Sequence, residues 1–201
     1  MITIFGPAGS GKSLQGQILA HRYDLAWFSV GDLLRERAET DASLKQALDT
    51  GELVDDEYVT AMMREAYAKA KAEGKEVLLD GYPRDEKQAQ YLVESGDIKD
   101  IQGALILTVD KEELWKRIQE RGREDDALRE TVEKRWAIYE ENIAKIIPIL
   151  EENGVEVGEI DGMGEPEEVT ARIEDALEDW EVIPRVEYDD SENEHEQSYG
   201  E

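Results

Sequence analysis

The sequence predicts an α/β fold in which a five-stranded parallel sheet is flanked by helices. Two patterns lead to this prediction: short apolar runs alternate with longer stretches of helical spacing, and a glycine-rich loop joins the first apolar run to the first helical stretch. Size is the third observation, because 201 residues with 40% hydrophobic content suit one domain with a single core. Strands that alternate with helices form βαβ units, in which the strands are parallel and the crossover connections are right-handed.

Each strand is predicted from a short run of apolar residues, and the five runs cover residues 2–5, 26–30, 77–79, 104–109 and 155–160. Three helices are predicted from apolar residues spaced at i, i+3, i+4 and i+7, a pattern that indicates core packing rather than cofactor contacts. These stripes are Val59, Met62, Met63, Ala66 and Ala70, then Val132, Trp136, Tyr139, Ile143 and Ile146, then Val169, Ile173, Leu177 and Trp180. We expect Pro148 to kink or end the second of these helices near its C-terminal end.

The loop that follows the first strand, Gly6 to Ser13, matches the phosphate-loop pattern G-x-x-x-x-G-K-[ST] in full. A strand before it and a helix after it complete the context of the motif, so we predict a P-loop NTPase fold. Backbone N–H groups of such a loop bind a polyphosphate together with the positive end of the helix. Lys12 would reach the β- and γ-phosphates of ATP, and the Ser13 hydroxyl would bind Mg²⁺. The predicted ATP-binding residues in this region are Gly9, Ser10, Gly11, Lys12, Ser13 and Leu14.

The composition is strongly acidic, with 23 Lys and Arg against 50 Asp and Glu and a net charge of −27. A negative field repels nucleic acids and anionic lipids, so we expect neither a nucleic-acid nor a membrane partner. No apolar run approaches the roughly 18 residues that span a bilayer. No basic-then-apolar leader opens the sequence, so we expect a cytoplasmic protein. The lack of cysteine and the two histidines argue against zinc. The acidity either solvates the surface or adapts the protein to high salt.

Several motifs follow the phosphate loop in a defined order: FSVGDLLR at 28–35, GELV at 51–54, VLLDGYPR at 77–84, R-x-x-x-R-G-R-x-D-D at 117–126, and Arg135. Over about residues 1–180 this set resembles the adenylate kinase branch of the nucleoside monophosphate kinases. Elementary chemistry agrees, because phosphoryl transfer between two anions needs positive charge around the transferred group. Arginine suits this task through bidentate phosphate contacts. Six arginines lie in these motifs, at positions 35, 84, 117, 121, 123 and 135.

The resemblance implies the reaction ATP + AMP ⇌ 2 ADP with Mg²⁺, and it assigns an acceptor site. Arg35 and Arg84 would clamp the acceptor monophosphate, and Gln88 would contact the acceptor base through its amide. The other acceptor-site residues that it implies are Val30, Leu53, Val54, Gly81, Arg123 and Arg135.

The resemblance also assigns the donor site and the centre of transfer. Arg117 would lie on the donor adenine, and Gly164 would contact ATP. Asp80 would hold the Mg²⁺ ion through water. The Asp125–Asp126 pair resembles a hinge that holds the arginines and helps a lid to close. The implied catalytic residues are Lys12, Arg84, Arg121, Arg123 and Arg135.

The sequence departs from the family pattern at several points. Ser13 and Leu14 replace the glycine and threonine that often follow the phosphate-loop lysine, and we expect Mg²⁺ binding to survive. Val30 stands where a threonine is common beside the acceptor base, which leaves a UMP/CMP kinase as an alternative. Eight residues separate Arg117 from Asp126, so the lid must be very short and free of zinc. Arg135 follows Asp126 by nine residues, one more than the commonest spacing.

We therefore expect one kinase domain over residues 1–180, with an acceptor-binding insert at about 31–60 and a lid at about 118–126. Residues 181–201 form an acidic tail that we expect to be disordered. We expect a monomer, since no large apolar face stands out. A second alternative is a catalytically inactive nucleotide-binding module, whose acidic surface and tail would meet a basic partner.

Overall fold

The computed structural model describes residues 1–50, 54–123 and 126–183, and within them five strands form one sheet. All neighbouring strands are parallel, in the order β2-β3-β1-β4-β5. The strands are β1 (Ile2–Phe5), β2 (Ala26–Ser29), β3 (Val77–Asp80), β4 (Gly103–Thr108) and β5 (Glu156–Asp161). The predicted fold class is confirmed, and each predicted strand is present with its ends shifted by no more than one residue.

Eight α-helices surround the sheet in the described part of the chain: α1 (Lys12–Arg22), α2 (Val30–Ala38), α3 (Ala42–Thr50), α4 (Asp56–Ala72), α5 (Glu86–Ser95), α6 (Lys111–Arg121), α7 (Arg129–Glu152) and α8 (Pro166–Asp179). Several begin where the sequence provides a capping side chain. Ser29, Asp55 and Asp85 each accept a backbone N–H from the first turn of the helix that follows. Helix α7 runs one turn beyond Pro148 to Glu152, because the flanking Ile146 and Ile149 are buried in the core.

The apolar residues of the strands point alternately to the two faces of the sheet, as the period of two requires. Ile2 and Ile4 pack with α1 and α8 on one face. Phe5 packs on the opposite face with residues of α4, α5 and α7. A smaller cluster joins α6 to α7 through Leu114, Ile118, Val132 and Trp136. The stripes predicted for α4, α7 and α8 therefore lie in the core.

The order of the strands places the candidate site at the carboxyl end of β1. The chain proceeds from β1 to β2 and β3 on one side and to β4 and β5 on the other, and such a switch point opens a crevice outside the strand ends. In the parallel register, Asp80 pairs with both Ile4 and Ser29, so three strands end at one edge. Helices α2, α3 and α4 connect β2 to β3, in the region predicted as the insert.

The predicted lid, residues 118–126, begins in the last turn of α6 and continues towards α7, and its residues 124–125 are outside the described part of the chain. So are residues 184–201, which make up most of the predicted tail. None of the helices within the described ranges combines the length and the apolar character that crossing a membrane requires.

Candidate active site

The phosphate loop curls between β1 and α1 on two glycines with positive φ. Gly9 and Gly11 have φ of +89° and +93°, which residues with a Cβ rarely adopt. A Cβ at Gly9 would lie 2.6 Å from the carbonyl oxygen of Leu114, so helix α6 packs too closely for a larger residue. The Trp136 indole Nε1 donates to the carbonyl oxygen of Ala8 at 3.0 Å and ties the loop to α7.

Lys12 begins helix α1 and points its ammonium group into the loop, where Nζ donates to the carbonyl oxygen of Pro7 at 3.4 Å. Desolvation lowers the pKa of Lys12; Asp80 opposes this effect, while Arg84 and Arg121 add to it. A bound triphosphate would supply the negative charge that these cations lack.

Ser13 and Asp80 meet at the base of the loop. The Ser13 Oγ donates to Asp80 Oδ2 at 2.6 Å, and Asp80 is 2% exposed at the end of β3. A hydroxyl and a carboxylate are hard oxygen ligands, and Mg²⁺ typically takes only one or two of these from the protein, with water and phosphate completing its shell. No group of three or more metal-binding side chains occurs within the described residues. The pair therefore fits a Mg²⁺ ion that is shared with a nucleotide.

A cleft opens in front of the loop and encloses about 1130 Å³, including the part open to solvent. Phe5, Leu48, Pro83, Ile138 and Ile143 contribute an apolar wall. Six basic side chains also line this cleft, and all six were predicted as site residues: Lys12, Arg35, Arg84, Arg121, Arg123 and Arg135. The structure thus concentrates positive charge at one place in a chain whose net charge is −27.

Arg84 is the arginine whose ionisation the site perturbs most clearly. Desolvation lowers the pKa of Arg84 to about 10, with Asp80 opposing and Arg35 and Arg135 contributing to the shift. Its Nε donates to the carbonyl oxygen of Gly81 at 3.1 Å, which fixes the guanidinium near the end of β3. Positive charges held together in this way favour a bound anion.

Two carboxylates hold the other arginines of the cleft. Asp126, which is 2% exposed, binds both Arg121 and Arg135, and the Arg135 Nη2 also donates to the carbonyl oxygen of Leu48 in α3. Asp32 binds Arg35, and it lies 3.4 Å from the Nη2 of Arg123. These contacts join the predicted lid and helix α7 to the predicted insert.

Arg117, which was predicted to lie on the donor adenine, and two other predicted ATP-binding residues, Gly164 and Leu14, are not among the residues that line the cleft. Arg117 binds Glu113 through Nε at 2.9 Å, and its Nη1 donates to the carbonyl oxygen of Gly162 at 3.0 Å. Gly164 belongs to the same loop, has a φ of +99° and is exposed. Leu14 is 47% exposed at the start of α1. Arg117 and the 162–164 loop are therefore neighbours.

The residues predicted for the acceptor site fall into two groups. Gly81, Arg35 and Arg84 line the cleft. Val30 is fully buried at the start of α2, and Val54 is half-buried against the core. Leu53 lies outside the described residues. Gln88 is buried directly behind Arg84, whose backbone N–H donates to Gln88 Oε1 at 2.9 Å.

Two residues at the site were missed as functional positions by the sequence reasoning. Asp32 was read as part of a motif, although its place three residues before Arg35 in a helix puts both on one face. Trp136 was assigned to the core stripe of α7, and it does pack there. Nothing in the sequence indicates that its indole also holds the phosphate loop.

Comparison with known proteins identifies the chain's relatives. The sequence model of the family described as Adenylate kinase matches residues 4–155. The Adenylate kinase of Thermobifida fusca (strain YX) is 37% identical over 187 residues, which cover 88% of this chain and 97% of that protein. The Adenylate kinase of a Nocardioides species is 36% identical over 195 residues, covering 91% and 98%. That of Caulobacter vibrioides is 36% identical over 189 residues, covering 88% and 96%.

The family match spans the phosphate loop, Asp80 and the arginines of the cleft. Phosphoryl transfer between two nucleotides requires a phosphate-binding loop and positive charge around the transferred group, and this cleft provides both. The chain belongs to the adenylate kinase family and is a phosphotransferase.

Proposed function

We propose that the protein catalyses the reversible, Mg²⁺-dependent transfer of a phosphoryl group from ATP to AMP, giving two ADP. The observation that carries this proposal is the convergence of six basic side chains on one cleft beside the phosphate loop. The relatives are named Adenylate kinase, and three of them match this chain over nearly their full length. The substrates ATP and AMP, and the action of a monomer in the cytoplasm, are parts of the proposal.

On the donor side, the loop N–H groups and Lys12 bind the β- and γ-phosphates, and Arg117 with the loop of Gly164 contacts the adenine. Arg121 neutralises charge at the γ-phosphate. The Ser13 hydroxyl, together with Asp80 through water, would hold Mg²⁺, and the bound ion would supply positive charge to the phosphate oxygens. The hydrogen bond between Ser13 and Asp80 keeps these two side chains together at the end of β3.

On the acceptor side, Arg35 and Arg84 bind the monophosphate, Gln88 contacts the base with Val30 beside it, and Leu53, Val54 and Gly81 complete the acceptor site. An oxygen of the acceptor phosphate attacks the γ-phosphorus, and the bond from that phosphorus to the β–γ bridging oxygen breaks. The acceptor phosphate is already an anion, so no side chain has to remove a proton. Arg84, Arg123 and Arg135 stabilise the charge that spreads over the transferred group.

Residues 31–60 act as the acceptor-binding insert and 118–126 as the lid of a kinase domain that covers residues 1–180. Contacts between these parts support the proposal, because Arg123 reaches Asp32 and Arg135 reaches the carbonyl of Leu48. Closure of both parts over the nucleotides would exclude water, which is a competing acceptor.

The proposal is tested by a coupled assay with MgATP and four acceptors, AMP, UMP, CMP and GMP, at low and at high salt. We expect AMP to give the highest kcat/KM. A value for UMP or CMP at least about tenfold above AMP would establish the UMP/CMP kinase alternative, which Val30 favours. If no acceptor is phosphorylated under any salt condition while ATP still binds, the protein is the inactive nucleotide-binding module instead.

A further inference from the structure

The indole of Trp136 binds the phosphate loop at one defined peptide. Its Nε1 donates to the carbonyl oxygen of Ala8 at 3.0 Å, and Trp136 is 4% exposed. The ring is held by the cluster that joins α6 to α7, in which Leu114, Ile118 and Val132 are buried and against which Ala8 packs. Ala8 also lines the cleft, so this hydrogen bond connects the core cluster directly to the wall of the site.

The peptide between Ala8 and Gly9 is able to turn over, because position 9 is a glycine. Packing against α6 requires this glycine, since a Cβ there would lie 2.6 Å from the carbonyl oxygen of Leu114 and 3.0 Å from Ile118 Cγ1. The φ of Gly9 is +89°, and glycine adopts either sign of φ about equally well. Turning the peptide over changes mainly ψ of Ala8 and φ of Gly9, so the glycine that α6 requires also permits the flip.

The hydrogen bond from Trp136 determines which way this peptide faces. In a planar trans peptide the carbonyl oxygen and the amide hydrogen point in opposite directions. Because the Ala8 carbonyl accepts the indole N–H, the N–H of Gly9 points away from the indole. In the flipped peptide the Gly9 N–H would face the indole N–H, and two donors would meet without an acceptor between them.

We infer that Trp136 is a positioning residue that directs the Gly9 N–H towards the bound phosphates of the donor nucleotide. The inference rests on the proposed function, in which the N–H groups of the loop bind the β- and γ-phosphates. The flipped peptide would present the Ala8 carbonyl oxygen to these phosphates instead, and the like partial charges would repel each other. Trp136 thus acts on the donor site through the backbone of the loop.

The expected size of the effect follows from the fate of one carbonyl oxygen. Without the indole N–H, the Ala8 carbonyl that faces α7 has no donor, whereas in the flipped peptide it faces the cleft and its water. Leaving such a group without a partner favours the flipped peptide by about 5- to 150-fold. The apparent Kd rises in inverse proportion to the fraction of molecules whose peptide has the binding-competent orientation.

The test measures the Kd of the full chain for MgATP and, separately, for AMP by calorimetric titration. Trp136→Phe keeps an aromatic ring in the cluster and lacks the N–H. A second variant carries benzothienylalanine in place of Trp136, which keeps the volume of the indole and puts a sulfur without hydrogen at the position of Nε1. For both variants we expect MgATP to bind at least about fivefold more weakly, while the Kd for AMP stays within about twofold of wild type.

The matched control is Trp115→Phe, which makes the same change in the same cluster. Trp115 packs against this cluster, and its ring lies 5.1 Å from the Arg129 guanidinium carbon. We expect both Kd values of this control to stay within about twofold of wild type. A merely structural role for Trp136 would lower Tm and leave the ratio of the two Kd values unchanged, which would overturn the inference. If Trp136→Phe does not fold, the benzothienylalanine variant decides the question, because it preserves the packing.

Binding and transfer separate this inference from the proposed function. A wild type that binds MgATP and transfers no phosphoryl group to any acceptor would overturn the proposed function, and the Kd values of the variants would still decide the role of Trp136. A Kd for MgATP within about twofold of wild type in the benzothienylalanine variant would overturn the inference and leave the kinase function standing. A wild type that binds no MgATP would overturn both.

Discussion

Replacing Asp126 by asparagine removes a buried carboxylate that binds both Arg121 and Arg135. The Asp126 side chain is 1% exposed, while those of the two arginines are 33% and 20% exposed. Breaking a fully buried ion pair costs roughly 3–5 kcal/mol. Because both guanidinium groups keep contact with water, we expect about half of this, or ~2 kcal/mol. In a domain of this size such a loss lowers Tm by about 4–8 °C.

We expect a larger effect on kcat than on stability, since two of the six cations in the cleft lose the carboxylate that binds them. Losing one preorganised group that stabilises the transition state costs roughly 10²–10³ in kcat, and we expect Asp126→Asn to fall in this range. Thermal unfolding without nucleotide and a coupled assay with MgATP and AMP measure the two effects. The matched control is Glu130→Gln, which removes an exposed charge from the first turn of α7.

An Asp126→Asn protein that keeps kcat within about threefold of wild type would refute this reasoning. So would a kcat loss of the same size in the Glu130→Gln control, because the effect would then come from net charge rather than from the arrangement of the arginines.

Three further predictions concern the fold and its charge. Gly158→Ala should destabilise the protein by about 1–3 kcal/mol in urea unfolding, because a Cβ there would lie 2.7 Å from the Trp180 ring, and the additional change Trp180→Leu should recover part of the loss. Asp85→Asn should raise the free energy of unfolding relative to wild type by ~1–2 kcal/mol at about pH 8 and by less at about pH 4. The pKa of Asp85 is raised to about 6, so the folded wild type binds this proton more tightly than the unfolded chain and loses stability as the pH rises through about 6. A stability difference between variant and wild type that does not depend on pH would contradict this explanation. Added monovalent salt should raise Tm and activity from their low-salt values, because it screens the repulsion of a chain with net charge −27, and a steady fall in both would rule out adaptation to salt.

Local patterns predicted the fold because each strand and helix is visible in a short window of sequence. Runs such as residues 2–5 and 77–79 lie in strands that are buried along their whole length, and the glycine spacing of the phosphate loop requires a strand before it and a helix after it. The arginines of the site were also predicted, through motifs whose order resembles a known family. Their convergence on one cleft depends on the order of the strands in the sheet, and no short window of sequence carries that information.

The partners of the site residues could not be predicted, because they come from distant parts of the chain. Asp32 and Arg123 are 91 residues apart in sequence, and Arg135 meets the carbonyl of Leu48 across 87 residues. Arg117 and Arg121 lie four residues apart in α6 and have different surroundings, since one binds the 162–164 loop and the other lines the cleft. The amide of Gln88 is likewise bound by carboxylates from two places, Asp56 in α4 and Asp85 at the N-cap of α5.

The central claim is that the basic side chains of the cleft hold two nucleotides for phosphoryl transfer. Its most direct test is Arg84→Ala, measured by a coupled assay with AMP and by calorimetric titration with MgATP, with the exposed Arg64→Ala as control. We expect transfer to fall by about 10³ or more while the Kd for MgATP stays within about twofold, because Arg84 serves the acceptor and the transferred group. Transfer that stays within about tenfold of wild type, or binding of MgATP that is lost in proportion to transfer, would contradict the account.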